Sequence, residues 1–133
     1  MLEQLNQSVK KVNLVPIQTT TTTITGSGVD TYLSAKPAFD SALILAEIGN
    51  LGDQSSTKVK IEESDASDFS SGVSVAKGGD EVTVAADNSY QFQVERSKRY
   101  LRAVVTITGG ISPSAEVFVG GLLWNAQRPF PML

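Results

Sequence analysis

The sequence predicts an all-β fold, an antiparallel two-sheet sandwich of jelly-roll-like type, and three observations lead to this prediction. Short apolar or alternating runs recur along the chain, separated by clusters of glycine, asparagine, aspartate and serine. No internal segment shows a convincing helical period. A chain of 133 residues is also long enough for one domain to bury a core without metal or disulfide support.

Residues 1–12 are predicted to form an N-terminal arm, extended or short-helical. Leu2, Leu5, Val9 and Val12 follow one another at spacings of three and four, which would align them as one stripe on a helix. A helix this short is marginal alone in water. The arm is therefore either a frayed terminus or a segment that a neighbouring protein orders.

The predicted sandwich domain covers residues 13–124. Asn13–Gln18 and the threonine-rich Thr19–Thr25 are expected to be strand, because β-branched side chains favour extended backbone. Val29–Pro37 is expected to be an irregular connection. Ser41–Ile48 is apolar on both faces, and the glycine-rich stop after eight residues favours a strand over a helix.

The rest of the domain is predicted to form further short strands, and the last two differ in the polarity of their faces. The predicted strands are Thr57–Glu63, Val73–Val75, Glu81–Val84, Tyr90–Val94, Arg99–Thr108 and Ala115–Leu123. Arg99–Thr108 has two unlike faces, whereas Ala115–Leu123 is apolar on both. A free-standing sandwich normally keeps one face of each sheet polar. The sequence therefore predicts that this chain buries part of its outer surface against other protein.

Phe118, Leu122 and Trp124 share one face of the last predicted strand. Such a row can be core on a bent strand, can stack on sugars, or can anchor an interface, where tryptophan and tyrosine are enriched. Residues 125–133 form a predicted extended tail whose two prolines and apolar side chains indicate that it lies on its own domain or on a neighbour. The predicted protein-interface residues are Leu2, Leu5, Val9, Val12, Leu43, Leu45, Tyr100, Phe118, Leu122, Trp124, Arg128 and Phe130.

Composition argues against several classes of function. Cysteine and histidine are absent, which removes the thiol nucleophile, the commonest general base and the commonest zinc ligand. A formal net charge of −3 without a basic cluster argues against nucleic-acid binding. The longest apolar run, Val117–Trp124, is too short to span a bilayer. We therefore expect no nucleic-acid partner and no membrane.

The acidic cluster Glu62, Glu63, Asp65 and Asp68 is the main candidate for chemistry. Paired carboxylates can catalyse glycoside hydrolysis, and oxygen ligands can hold calcium. The cluster lacks the glycine and terminal glutamate of an EF-hand loop, so its spacing is not specific. Solvated strand and turn residues are the plainer interpretation. We expect no enzyme, no cofactor and no metal site.

Four stretches carry a resemblance to a known group of proteins: Phe39–Leu45, Thr57–Asp65, Arg99–Gly110 and Ser112–Val117. Together they resemble small structural proteins of tailed bacteriophages that are encoded among head genes, including capsid decoration or cement proteins with jelly-roll folds. The resemblance covers most of residues 39–124, and it consists of strand and turn patterns rather than reactive residues.

The resemblance implies a virion protein, assembled in the bacterial host cytoplasm, that binds the outside of the capsid and stabilises the shell. Its implied partner is the major capsid protein, and it implies a homo-oligomer, dimer or trimer, with no cofactor and no catalysis. Two alternatives stay open. One is a glycan-binding sandwich on a phage fibre or capsid, and the other is a head-completion or tail structural protein.

Overall fold

The computed structural model describes residues 9–33, 36–37, 39–85 and 88–124, which form twelve strands and no helix. The strands are β1 (Val9–Thr20), β2 (Ile24–Thr25), β3 (Val29–Asp30), β4 (Tyr32–Leu33), β5 (Lys36–Pro37), β6 (Ser41–Gly49), β7 (Ser56–Ser64), β8 (Ser74–Val75), β9 (Val82–Thr83), β10 (Asn88–Glu95), β11 (Tyr100–Thr108) and β12 (Ala115–Trp124). None of these described segments is a helix of the length and hydrophobicity that a membrane crossing requires.

The strands form two sheets that pack face to face. The four-stranded sheet has the order β1-β12-β6-β10. The six-stranded sheet has the order β2-β11-β7-β8, with β3 also on β11 and β9 also on β7. All of these pairs are antiparallel, and β4 and β5 form a separate two-stranded ribbon. The predicted all-β antiparallel sandwich is confirmed.

The connectivity is that of a jelly roll. β2 and β3 lie along the same side of β11, and β8 and β9 lie along the same side of β7, so each pair acts as one interrupted strand. Without the β4–β5 ribbon, eight consecutive segments then remain. Counted along the chain, the four-stranded sheet contains the first, eighth, third and sixth segments in that order, and the six-stranded sheet contains the second, seventh, fourth and fifth. This arrangement is the double Greek key of a jelly roll.

The core lies between the two sheets and is built from alternate residues of the long strands. β6 contributes Ala42, Ile44, Ala46 and Ile48, β12 contributes Val117, Val119 and Leu123, and the facing sheet contributes Val59, Ile61, Leu101, Ala103 and Val105. All of these side chains are buried. The period-2 pattern places every second residue of a strand in the core.

The start of β1 differs from the helical stripe that the N-terminal spacing suggested. Val9 and Val12 lie in a strand, Val9 opposite Trp124 and Val12 opposite Gly121. Val12 is only 6% exposed and belongs to the core, whereas Val9 is on the other face. The ladder with β12 decides the local conformation, because its hydrogen bonds and the packing of Val12 in the core stabilise the strand, whereas a helix this short is costly to nucleate. Leu2 and Leu5 lie outside the described residues.

The threonine tract does not continue as one strand, because the chain passes from one sheet to the other within it. β1 ends at Thr20 in one sheet, and β2 begins at Ile24 in the other. The Thr20 hydroxyl donates to the Thr22 carbonyl at 2.7 Å and accepts from the Thr22 amide at 3.2 Å. This local side-chain bonding competes with the ladder and stabilises the turn between the sheets. The segment expected to be irregular, Val29–Pro37, contains the short strands β3, β4 and β5.

Candidate interaction surface

The outward face of the four-stranded sheet carries a row of apolar side chains on its two central strands. β6 places Leu43 and Leu45 on this face, and β12 places Phe118, Leu122 and Trp124 there. In register, Leu122 lies opposite Leu43. Val9 of β1 lies opposite Trp124 and extends the row. We call these six residues the outer apolar face.

None of the six is buried in the fold. Leu122 is 43% exposed, and the other five are half-buried. Strands β6 and β12 are apolar on their inner faces as well, which is the two-sided pattern that the sequence showed. Exposed apolar patches with a polar surround mark sites of interaction in soluble proteins. This face is therefore the candidate functional surface.

Gly120 shapes the middle of the face. It lies opposite Leu45, and a Cβ atom at this position would be 2.7 Å from Cζ of Phe118. The phenyl ring therefore lies along the strand, over the space that a larger residue would fill. The glycine gives the face a shallow and continuous apolar floor.

Polar residues of the two edge strands frame the outer apolar face. On β1, Lys11 lies opposite Leu122 and Asn13 opposite Gly120. On β10, Gln91 lies opposite Leu45 and Gln93 opposite Leu43. All four of these edge-strand residues are exposed. An apolar centre with a polar rim is the usual anatomy of a protein–protein interface.

The structure brings together six of the twelve residues predicted to form an interface: Val9, Leu43, Leu45, Phe118, Leu122 and Trp124. Val12 is in the core, because the ladder with β12 points it inward. Tyr100 is half-buried on β11, in the other sheet. Leu2, Leu5, Arg128 and Phe130 lie outside the described residues.

A shallow groove next to Phe118 was not predicted from the sequence. It has a volume of about 560 Å³, and its lining includes Ile17, Glu47, Asn50, Ser89, Glu116 and Phe118. Ile17 is 83% exposed. It lies within the register shift between Val15 and Gln18, where β1 departs from regular pairing with β12. Such a shift re-aims side chains and leaves no periodic signal in the sequence.

The outward face of the six-stranded sheet is dominated by charged residues, although Val75 of β8, which lies opposite Glu62, is 43% exposed. Arg102 of β11 donates from Nε to Oε1 of Glu62 on β7 at 2.9 Å, and Nζ of Lys60 lies 3.1 Å from the other oxygen. The Arg102 guanidinium also lies 4.3 Å from the ring centre of Phe69. Burial tends to raise the pKa of Glu62, but the hydrogen bonds and charges of Arg102 and Lys60 outweigh it and leave the pKa below its usual value.

The carboxylates of the predicted acidic cluster accept hydrogen bonds from other residues of the same domain. The buried Glu63 carboxylate accepts from the Ser97 amide at 2.9 Å, from the Ser97 hydroxyl and from the Lys98 amide at 3.3 Å. Asp65 accepts from the Arg99 amide, and Asp68 from the Ser70 amide, each at 3.0 Å. Within the described ranges, no group of three or more acidic side chains is arranged to hold a metal ion.

Tyr100 borders a compact cluster of charged and aromatic residues at one end of the sandwich. Arg99 binds Asp30 with two hydrogen bonds, at 2.9 and 2.8 Å, and its guanidinium lies 4.7 Å from the Tyr32 ring centre and 5.2 Å from that of Tyr100. The Arg99 hydrogen bonds hold the pKa of Asp30 below its usual value. These contacts stabilise the link between β3 and β11 and occupy Tyr100 within its own domain.

Comparison with known proteins gives a structural likeness. No family model and no curated protein matches the chain. Among solved structures, the chain is similar to the crystal structure of SPBc2 prophage-derived protein YomS, with 11% sequence identity and a TM-score of 0.49. The match covers 86% of this chain and 91% of that chain. A likeness of this degree does not identify a function.

Proposed function

We propose that this chain is a structural protein of a tailed-bacteriophage particle, which binds the outer surface of the capsid and stabilises the shell. Its partner in this proposal is the major capsid protein, and the outer apolar face is the surface that docks. Two observations support the proposal: the resemblance of most of residues 39–124 to small structural proteins of tailed bacteriophages, and the apolar face itself.

The outer apolar face is the observation that carries the proposal. Leu43 and Leu122 lie opposite each other at its centre, on strands that are hydrogen-bonded on both sides. These side chains therefore sit on a rigid support, with polar strands on either flank. A rigid apolar centre loses little conformational freedom on docking, which favours affinity.

We infer further that the role is structural and not catalytic. The sequence contains no histidine and no cysteine, and Glu62 and Glu63 are engaged by basic side chains and backbone amides of their own domain. A carboxylate held by such partners stabilises the fold and is poorly placed to act as a general acid or base.

Stabilisation of a shell by this chain would follow from mass action. A subunit that binds the assembled shell and not its separated components shifts the equilibrium towards assembly. Many symmetry-related copies add their effects, and contacts of one subunit with two capsid proteins raise the effective affinity. The resemblance also implies a dimer or trimer, which sedimentation of the purified chain tests directly.

A map of intact particles provides the first test. We expect density for the sandwich in many copies over the shell, with the outer apolar face towards the capsid protein. A few copies at one vertex or along the tail would instead support the head-completion or tail role. Absence of the chain from the particle contradicts the proposal.

A matched pair of variants tests the surface. Leu122→Asp places a carboxylate at the centre of the outer apolar face, and Thr106→Asp places one on the outward face of the other sheet. We expect Leu122→Asp to weaken binding to shells that lack the chain by at least about tenfold, since burying an unpaired charge costs more than ~1.4 kcal/mol. Thr106→Asp should bind like the parent. Equal binding by both variants contradicts docking through this face.

The groove beside Phe118 supports a second candidate, a glycan-binding sandwich on a phage fibre or capsid. It combines a half-exposed aromatic ring with carboxylate and amide side chains, the groups that stack on sugars and accept their hydroxyl hydrogens. A glycan array with the folded chain tests it. Binding that Phe118→Ala abolishes would favour this candidate, and an array without a hit would remove it.

A further inference from the structure

The groove beside Phe118 holds two carboxylates on neighbouring strands. Glu47 of β6 lies opposite Phe118 of β12. Glu116 lies two residues before Phe118 and opposite Gly49. Residues two apart on a strand share a face, so the two glutamates are diagonal neighbours on the outward face, with Cβ atoms about 7–8 Å apart. Gly49 has no side chain and leaves the floor of the groove open between them.

Neither carboxylate is neutralised by the part of the domain that the structure describes. Glu47 and Glu116 are both exposed, and the side chain of neither forms an ion pair or a hydrogen bond with a described residue. The described lining of the groove contains no lysine and no arginine. The groove therefore carries two uncompensated negative charges close together, which favours an occupant of positive charge.

The apolar residues of the groove suit the stem of a basic side chain. Ile17 and Phe118 line the groove together with the two glutamates. Lysine and arginine pack their methylene groups on apolar surface while the charged end stays with polar groups. A cation above an aromatic ring is also attracted by the negative face of the ring. The volume of about 560 Å³ leaves ample room for one such side chain.

We infer that this groove binds a lysine or arginine side chain of a protein partner, with its charged end between Glu47 and Glu116. A metal ion fits less well, because a hard cation needs several oxygen ligands within about 2.6 Å. A neutral sugar would leave both negative charges uncompensated. The inference goes beyond the proposed function and does not depend on which protein supplies the basic residue.

Nuclear magnetic resonance of the isotope-labelled full chain tests the inference with a small probe. The probe is the tripeptide Gly-Lys-Gly with blocked ends. Its control contains norleucine in place of lysine, which keeps most of the stem and removes the ammonium group. We expect the lysine peptide to shift the amide signals of Glu47, Glu116 and Phe118, and the norleucine peptide to bind at least about threefold more weakly. Added salt should weaken binding of the lysine peptide only.

Matched variants test whether the two carboxylates are responsible. Glu47→Gln and Glu116→Gln each remove one charge at an exposed position, and we expect each to weaken binding of the lysine peptide by about two- to fivefold. Asp80→Asn removes one charge from the exposed segment between β8 and β9. It changes the net charge of the chain equally and should leave the binding unchanged. The spectrum of each variant shows directly whether the sandwich is folded.

Each other result overturns the inference. Absence of shifts at the groove residues in low salt means that the groove does not take a basic side chain. Equal binding of the lysine and norleucine peptides means that only apolar contact is involved. Equal weakening by Asp80→Asn and Glu47→Gln means that the net charge of the chain attracts the probe. Shifts with methyl glucoside but not with the lysine peptide would assign the groove to glycans instead.

Discussion

The two sheets present opposite kinds of outward face, although they share one core. On the six-stranded sheet, Glu62 is bound by Lys60 and Arg102, and Phe69 packs against Arg102. That face is completed by residues of the same domain. On the four-stranded sheet, Leu43 and Leu122 meet at the centre of a surface that no described residue covers. In our proposal, the charged face serves the stability of the subunit and the apolar face serves association.

The same contrast is visible in the strand sequences. β7 alternates between core residues and charged residues, whereas β6 and β12 carry apolar residues on both faces. A strand with one apolar face needs one packing partner, and a strand with two needs a second. Predictions about the two faces should therefore separate effects on folding from effects on binding.

We expect the largest loss of stability from a substitution that disrupts the four-stranded sheet itself. In Gly121→Ala the added Cβ would lie 2.0 Å from the carbonyl oxygen of Leu43, a backbone atom that cannot move without separating β6 from β12. We expect a loss of about 3 kcal/mol or more in the free energy of unfolding. Urea denaturation followed by circular dichroism measures it.

Gly120→Ala is the matched control for Gly121→Ala. Its nearest neighbour is Cζ of Phe118 at 2.7 Å, the far end of a side chain that can rotate, although the Val12 carbonyl at 3.0 Å limits the room. We expect a clearly smaller loss than at Gly121. Equal losses at the two positions would show that the close approach of β6 and β12 is not the cause.

An intermediate effect is expected on the charged face. Arg102→Met keeps the length of the side chain but removes the hydrogen bond to Glu62 and the cation over Phe69. We expect a loss of about 2 kcal/mol, because the nearly buried Glu62 carboxylate retains only Lys60. Lys11→Met, on the rim of the other face, should change stability by less than about 0.5 kcal/mol. A reversed order would mean that the two faces have been assigned the wrong roles.

The smallest effect is a dependence of stability on pH. The pKa of Glu62 is lowered from its usual 4.5 in the folded chain, so its ion pairs contribute stability above that pH. The contribution decreases as pH falls through the lowered pKa. We expect the free energy of unfolding to decrease below pH 4.5 and Glu62→Gln to flatten this part of the profile. Glu81→Gln, at the exposed and longer pair with Lys58 (3.8 Å), should change the free energy of unfolding at neutral pH less than Glu62→Gln does.

Sequence reasoning succeeded where a strand has one regular period. The long strands from β6 to β12 lie close to their predicted positions, and the apolar row of Phe118, Leu122 and Trp124 does share an outward face. Alternation of side chains is a local property, so a single sequence contains it. Leu43 and Leu45 were predicted as interface residues from the two-sided pattern of β6, and the register of β6 with β12 places them beside this row.

The features that the sequence did not reveal depend on partners distant along the chain. Glu62 and Arg102 are brought together by the register of β7 and β11, and Phe69 joins them from a loop. Val9 and Val12 had the spacing of a helix, but β12 pairs with them as a strand. Ile17 is exposed because the register of β1 shifts beside it. None of these contacts between distant segments produces a periodic pattern in the sequence.

The pairing of β1 with β12 has a consequence for how the molecule folds. This ladder joins the first described strand to the last, so a ribosome must release residues 9–124 before the ladder can close fully. Until then Leu14 and Val15 cannot be buried in the core, and the nascent chain exposes them to chaperones or to self-association. Loop closure over such a distance is entropically costly, and we expect refolding on a timescale of roughly milliseconds to seconds. Closure of this ladder would then be the step that brings Leu14 and Val15 into the core.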